Sequence, residues 1–451
     1  MLKTDVLVVG GSAAGFVAAG TAKSNNPEKS VMLVRKEKKV MIPCGIPYIF
    51  GTIGTSDNNI LPDGGLNNLG VDIKIDEITC IDTEKKIAQT KSGYGISYDK
   101  IILGIGSIPS VPKWLKGTSL ENVFTIPKDK DYLDDLQKTM ENLKKVIIVG
   151  AGFIGVEVAD ELNKSGHEVT MVEIMPRILG LAFDEEFAVA AKEELSTSGV
   201  NVRTGVGIKE VLGDKEVKGI LLDNGETLEA NAVILSLGYI PNTELAKDMG
   251  LELNELGFIR TDQYKRTSKA DHFAVGDCSE KRDFLTGKLS KIMLASTACA
   301  EARVAGLNLY SLSTISTFRG TIGIYSTCIG DTAFGVAGMT EEAAENEGFE
   351  VISRSFTGVD THPGCMEYSQ KQLIKLIVSK NNGVILGGEV MGGRSVGELN
   401  NVLGMVIQNH MTINDLLIAQ IGTHPMLTAS PAGYPLIKAA EEVAKVLKMP
   451  I

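Results

Sequence analysis

The sequence predicts an α/β protein made of two doubly wound strand–helix–strand units and a separate α+β block at its C-terminal end. Three observations carry this: two glycine-rich turns about 140 residues apart, a strand and turn leading out of each unit, and a change of composition after Phe318. At 451 residues, with 49 glycines and 43% hydrophobic residues, the chain is long enough for about three domains of a large α/β enzyme. A net charge of −11 with no basic stripe argues against nucleic acid or an anionic membrane as partner and leaves small molecules as the expected ones. No apolar run reaches the ~18 residues of a membrane span, and a strand begins by Val6, so a cytoplasmic location is expected.

The first unit opens with the apolar run Asp5-Val6-Leu7-Val8-Val9, the turn Gly10-Gly11-Ser12-Ala13-Ala14-Gly15, and a small-residue helix from Phe16 to about Lys23. The second opens with Lys145-Val146-Ile147-Ile148-Val149, the turn Gly150-Ala151-Gly152-Phe153-Ile154-Gly155, and a helix to about Lys164. A further strand follows each helix, Val31 to Val34 and Val169 to Val172. Glycine is needed at such a turn because the chain bends tightly, the backbone approaches a pyrophosphate and the helix packs close to the sheet. The free N–H groups and positive dipole end of the helix then face the phosphates. One such fingerprint is weak evidence; two in the right context are a strong sign of two Rossmann-like dinucleotide sites.

The two sites are not equivalent. Glu173 ends the second unit's next strand, where a carboxylate can accept from ribose hydroxyls and repel a 2′-phosphate, which favours NADH over NADPH. The corresponding position in the first unit is Arg35, and the middle glycine of its pattern is Ser12.

Six cysteines, Cys44, Cys80, Cys278, Cys299, Cys328 and Cys365, are scattered without any metal or disulfide spacing, so no metal is expected. Cys44 differs from the rest because Pro43, Gly45 and Pro47 place it in a loop or at a helix start, where a thiol is expected to have a lowered pKa and to be reactive. The run Lys100-Ile101-Ile102-Leu103-Gly104-Ile105-Gly106 leads to a Pro-rich linker around Trp114, and Ala232 to Gly238 leads out of the second unit in the same way. Two strand-like segments are expected between Gly257 and Gly276, then an alanine-rich helix from about Leu294 and Ala295. Beyond Phe318 come strands around Ile322, Val351 and Ile385 and helices from Val396 to Gln408 and from Asn414 to Gln420.

With these residues in hand, the whole chain resembles the FAD-dependent pyridine-nucleotide disulfide oxidoreductases, in their single-cysteine branch of coenzyme A-disulfide reductases, NADH oxidases and peroxidases and polysulfide reductases. The resemblance implies an FAD-binding domain over residues 1–112 and 244–317, an NAD(H)-binding domain over 113–243 and a dimerisation domain over 318–451. It places FAD on Gly10, Gly11, Ser12, Ala13, Ala14 and Gly15, with Arg35, Cys44 and Gly106 beside it. The family's second flavin motif matches Phe273-Ala274-Val275-Gly276-Asp277, where Gly276 is the turn and Asp277 would hold the ribityl chain. The alanine-rich helix would aim its N-terminus, at Leu294 and Ala295, at the flavin. NADH is placed on Gly150, Gly152, Phe153, Ile154, Gly155, Glu173 and Gly238.

The family's CxxxxC pair is absent: the residues after Cys44 are Gly45, Ile46, Pro47, Tyr48 and Ile49. The resemblance therefore implies that hydride passes from NADH to FAD and electrons pass on to Cys44, cycling through a mixed disulfide, a persulfide or a sulfenic acid. Phe153 stands at the family's gating tyrosine, or is a core contact, and Glu157 matches a glutamate beside the flavin. His424, in Gly422-Thr423-His424-Pro425, is either a proton donor that reaches across a homodimer to complete the partner's site or a loop cap; Ala429 stands where a glutamate would orient it. His167, His272, His362 and His410 are expected to be structural or surface residues.

Two acceptor classes stay open. A small sulfur acceptor (polysulfide, persulfide or low-molecular-weight disulfide) ranks slightly ahead because it makes direct use of Cys44, and reduction of O₂ or peroxide as an NADH oxidase follows. Val40 and Pro43 replace the Ser and Asn of the coenzyme A-disulfide reductases, and Thr21-Ala22-Lys23-Ser24-Asn25 replaces their arginine-rich helix end, which argues against coenzyme A disulfide itself. A redox-sensing or electron-transfer flavoprotein is the alternative of another class.

Overall fold

A computed structural model describes residues 1–447. Its first sheet has seven strands. Leu2–Val9 lies at the centre, flanked in parallel by Val31–Arg35 and Gly95–Leu103; Asp72–Ile75 extends one side, and Ile87–Thr90 and Ile78–Asp82 extend the other. The late strand His272–Ala274 returns to this sheet, pairing in parallel with Gly95–Leu103. Strands so uniformly apolar, with Val6, Leu7 and Val8 fully buried, need cover on both faces.

The second sheet repeats the plan with five strands in the order Asn201–Thr204, Glu168–Glu173, Lys145–Val149, Ala232–Leu235 and Val123–Phe124. A two-stranded antiparallel ribbon, Ser107–Pro109 with Tyr239–Pro241, ties the exits of the two units together. The C-terminal block is a five-stranded antiparallel sheet whose face is covered by the helices Val396–Gln408 and Pro435–Ala444.

The alanine-rich composition has a packing cause. Helix Ala13–Asn25 lies against Ala295–Leu307 through the buried Ala18, Ala22, Ala298, Ala302 and Ala305. A Cβ on Gly306 would come within 2.8 Å of Thr21, so the two backbones approach too closely for larger residues.

The structure corrects three local expectations. Only His272–Ala274 forms a strand between Gly257 and Gly276, because Gly257 (φ 84°), Lys265 (φ 65°) and Asp271 (φ 67°) turn left-handed and interrupt pairing. The helix expected from Asn414 to Gln420 is shorter, Ile413–Leu417, started by a reciprocal cap between Thr412 and Asp415. Helix Pro435–Ala444 was not expected; Pro435 sits in its first turn, where the missing N–H costs nothing. Among the described residues no helix is long and apolar enough to cross a membrane.

The C-terminal sheet meets the second unit through a buried charge cluster. Lys375 contacts Asp184 at 2.9 Å, Glu186 at 2.9 Å and Glu341 at 3.0 Å. Beside it, Glu389 is fully buried; one oxygen accepts from the Asp184 N–H at 2.7 Å and the other has no partner. Burial, with Asp184 adding repulsion, pushes Glu389 up to about 9 from 4.5. Folding therefore takes up a proton there, and the stability this gives is complete below pH 4.5 and is lost progressively as pH rises toward 9. Glu389→Gln removes that dependence, so its stability relative to wild type should rise between pH 5 and 8 by at most about 1.4 kcal/mol per pH unit. Denaturant titrations across that range check it; a pH-independent difference would show that Glu389 is already ionised.

Candidate active site

Both glycine turns are built alike. Gly10 and Gly150 share φ 102°, and a Cβ on either would strike a neighbouring carbonyl, Gly104 O at 2.2 Å or Ser236 O at 2.3 Å. Gly15 and Gly155 are excluded from larger residues by the carbonyls of Gly10 and Gly150, at 1.8 and 2.0 Å. Gly152 caps the helix Phe153–Lys164 and has open space where its Cβ would be, as have Gly106 and Gly238. Ser12 holds the equivalent cap position before Ala13–Asn25, with its hydroxyl unused by the helix. Open backbone N–H groups over a tight turn fit a pyrophosphate at each site.

The ends of the two following strands differ as the residue types require. Glu173 accepts from Ala151 N–H at 2.7 Å and from Met175 N–H at 2.8 Å, so its carboxylate also braces the second turn. Arg35 is buried with its stem under Gly11, where an added Cβ would lie 2.4 Å from its Cδ. Its guanidinium donates to both Asp63 oxygens at 2.6 and 2.7 Å and to the carbonyls of Glu37 and Lys38. Asp63 therefore supplies a carboxylate beside the first turn that sequence reasoning missed.

Gly276 (φ 77°) wedges the first site shut: its Cβ would lie 2.8 Å from that of Ala14 and 3.4 Å from that of Ala298. The first turn, the second flavin-type motif and the alanine-rich helix, capped by Leu294 and begun by Ala295, thus converge. Glu301 on that helix is fully buried, accepting from Gly276 N–H at 2.7 Å and Ser279 Oγ at 2.8 Å and pairing with Lys265 at 3.0 Å. Asp277 accepts from Ser107 Oγ at 2.7 Å and Lys128 Nζ at 2.6 Å. Although burial opposes its ionisation, Lys128 and Ser107 hold it below the usual carboxylate range.

Cys44 lies in a single 3-10 turn, Pro43–Gly45, followed by a second, Pro47–Phe50. Asn59 fastens the loop: its Nδ2 donates to Ile42 O at 2.9 Å, and its side chain fills the space a Cβ on Gly45 would take. The thiol is exposed, yet the cleft walls displace much of its hydration, so burial and the nearby Glu157 push its pKa up. This corrects the expectation of a thiol activated by a helix N-terminus: a three-residue turn has almost no dipole to offer.

Glu157 comes from one turn inside the second unit's helix and is buried against the Cys44 segment and the C-terminal sheet. Thr327 Oγ1 donates to it at 2.9 Å, and burial, opposed by Thr327 and the neighbouring Tyr48, raises it to about 7. Tyr48 and Thr327 were not singled out in the sequence. One turn on, Glu161 accepts from the backbone N–H and hydroxyl of Thr52 and from Lys164. Phe153 stacks on Tyr325 with ring centroids 4.9 Å apart, and Ile154 packs nearby in the same cluster.

His424 is exposed on the C-terminal block, and no recorded contact joins it to Cys44 within the described residues. Its Nδ1 accepts from Met426 N–H at 3.2 Å, which leaves Nε2 as the protonated nitrogen of the neutral ring. His362 braces that loop through its N–H to Pro425 O at 3.1 Å and its ring to Thr428 O at 2.8 Å. His167 and His272 hydrogen-bond within their own surroundings, and His410 stacks on Phe284.

Residues 4–302 match the family model of the pyridine nucleotide-disulphide oxidoreductases, and residues 324–432 match the dimerisation domain of the same family. Among curated relatives, an NAD(P)H coenzyme A polysulfide/persulfide reductase of Pyrococcus horikoshii is 30% identical over 99% of each chain. An NADH oxidase of Enterococcus faecalis is 29% identical over 93% of this chain and 95% of its own. Among solved structures, a NAD-dependent persulfide reductase from A. fulgidus superposes with a TM-score of 0.89 at 28% identity, covering 98% of this chain and 83% of that one. A water-forming NADH oxidase from Lactobacillus brevis bound to NADH gives 0.88 at 26% identity, over 98% and 99%.

Glu173 braces the turn, and on the expectation that it also accepts from the ribose, Glu173→Ala should lower kcat/KM for NADH and narrow the preference over NADPH by about 1–2 kcal/mol. Steady-state kinetics with both nucleotides decide it, and a wild-type preference for NADPH would overturn the role.

Proposed function

The chain belongs to the pyridine nucleotide-disulphide oxidoreductases, an FAD- and NAD(P)H-dependent family, and from that membership we propose that it passes electrons from NADH to a small sulfur acceptor through Cys44. One observation supports this above the others: Cys44 is an exposed thiol with no cysteine in the next turn, and the turn Pro47–Phe50 that follows it packs on the NADH unit's helix that carries Glu157. FAD, when bound, supplies the two-electron exchange between nicotinamide and sulfur.

The residues then divide the work. Gly10 to Gly15, Gly276 and Asp277 bind FAD, with Gly106 and the Leu294–Ala295 helix start near it and the Arg35–Asp63 pair closing the first turn. Gly150 to Gly155, Glu173 and Gly238 hold NADH, and Phe153 is the ring that moves to admit the nicotinamide. Glu157, near neutrality, exchanges a proton with the sulfur chemistry at Cys44. Sulfur atoms arriving as polysulfide, persulfide or small disulfide are attacked by the Cys44 thiolate, and the departing thiolate takes a proton. Reduction of O₂ is the second reading, favoured by the likeness to the NADH oxidases of E. faecalis and L. brevis.

The acting form is a cytoplasmic homodimer. Met405, Ile418, Met426 and Leu427 are 63%, 80%, 59% and 71% exposed on the C-terminal block, an apolar face suited to a second copy. Across it, His424 reaches the partner's Cys44 with Nε2–H forward.

Cys44→Ser should keep FAD bound and reducible by NADH while abolishing turnover with every sulfur acceptor. Retention of more than about half the wild-type rate would make Cys44 structural. His424→Ala should slow the oxidative half-reaction by about 10²–10⁴ and leave flavin reduction fast. Mixed with Cys44→Ser subunits, it should regain activity as heterodimers form with one intact site; exchange without recovery would place His424 in cis or outside the site.

A further inference from the structure

A dinucleotide fold places a carboxylate at the end of its second strand to take the ribose hydroxyls. In the first unit that position is Arg35, which ends the strand Val31–Arg35 as Glu173 ends its counterpart. A guanidinium has five N–H donors and no acceptor. Four of the five are engaged: Nε to Glu37 O at 2.9 Å, Nη2 to Lys38 O at 3.2 Å, and Nη1 and Nη2 to the two oxygens of Asp63 at 2.6 and 2.7 Å. Its stem fills the space that a Cβ on Gly11 would need, so it is fixed against the phosphate turn. Asp63 precedes the helix Gly64–Leu69, yet its side chain accepts no N–H from that helix. Among the described residues its carboxylate is held by Arg35 alone, and it is the open member of the pair, 33% exposed against 2% for the arginine side chain. Each carboxylate oxygen has two acceptor directions, so Asp63 keeps one on each oxygen beyond its bonds to Arg35.

We propose that Asp63 is the ribose acceptor of the first site: its carboxylate, carried on the segment that leads into Gly64–Leu69 instead of on the strand end, takes the hydroxyls of the FAD adenosine ribose, and Arg35 is the positioning residue that holds it there. This rests on the reading that the first turn takes FAD. The bidentate pair fixes both the plane and the place of the carboxylate, which a single hydrogen bond would not. A buried guanidinium in turn needs such a partner, because an unpaired charge in that position is strongly destabilising. The arginine does not turn the site toward a ribose bearing a 2′-phosphate: the phosphate would meet the exposed carboxylate and be repelled, while the guanidinium lies behind it with its donors taken.

The test is calorimetric titration of the full-length protein, stripped of flavin, with FAD and with FAD analogues whose adenosine ribose lacks the 2′- or the 3′-hydroxyl. The wild type should bind at least one analogue about 10- to 100-fold more weakly than FAD, the size of a lost hydrogen bond to a charged group. Asp63→Ala should bind FAD and that analogue alike. Because this variant leaves Arg35 without its partner, the double variant Arg35→Leu, Asp63→Ala, which removes both charges, is titrated beside it and should likewise not distinguish them. A general loss of folding would weaken both ligands equally, whereas loss of the ribose contact removes only the difference between them. Equal binding of FAD and both analogues by the wild type, or a difference that persists in the variants, would overturn the proposal. Failure of the wild type to bind FAD at all would overturn the FAD reading of the first turn together with it.

Discussion

The rest of the site depends on one helix face. Phe153–Lys164 begins at the second glycine turn, and its inner side carries Glu157, Asp160 and Glu161, all buried. Buried carboxylates are tolerated only where donors meet them. Here Thr327 donates to Glu157, Thr52 to Glu161, and Lys164 to both Asp160 and Glu161. Those donors come from the Cys44 segment, the C-terminal sheet and the helix itself. Meeting these carboxylates, all but Asp160 Oδ1, which has no partner, brings the three parts of the chain together on one helix face.

The twin turns show how the same backbone serves different ends. Gly10 and Gly150 have the same φ, but the strand ends beside them carry opposite charges, Arg35 and Glu173. In the second unit the carboxylate contacts the turn directly, through Ala151 N–H. In the first, the arginine stem occupies that contact and the negative charge stands one shell away on Asp63. The arrangement keeps a carboxylate near each turn while placing it on different elements.

What could be read in the sequence was what local chemistry dictates. The turns were legible because Gly10, Gly15, Gly150 and Gly155 sit where a Cβ would strike a backbone carbonyl, a constraint no other residue meets. The alternation of apolar strands and helices, and the shift of composition that marks the last block, were legible in the same way. Contacts between distant segments were not legible. Thr327 reaches Glu157 across 170 residues, and Asp63 reaches Arg35 across 28, and neither leaves a periodic trace. Left-handed Lys265 and Asp271 broke an expected strand because nothing in a lysine or aspartate announces that backbone.

Cys44 and Glu157 cannot be considered apart. Burial raises the proton affinity of both groups, and Glu157 adds to it at the thiol, so ionising Cys44 beside a charged Glu157 is disfavoured. In the proposed cycle Glu157 would hold a proton while Cys44 is anionic and give it up once sulfur is captured. Thr327 holds the carboxyl in place by its hydroxyl. With only Gly45, Ile46, Pro47, Tyr48 and Ile49 where a second thiol would otherwise follow, the electrons of the proposed cycle pass between flavin and Cys44 alone, and the proton is left to a neighbour such as the buried Glu157.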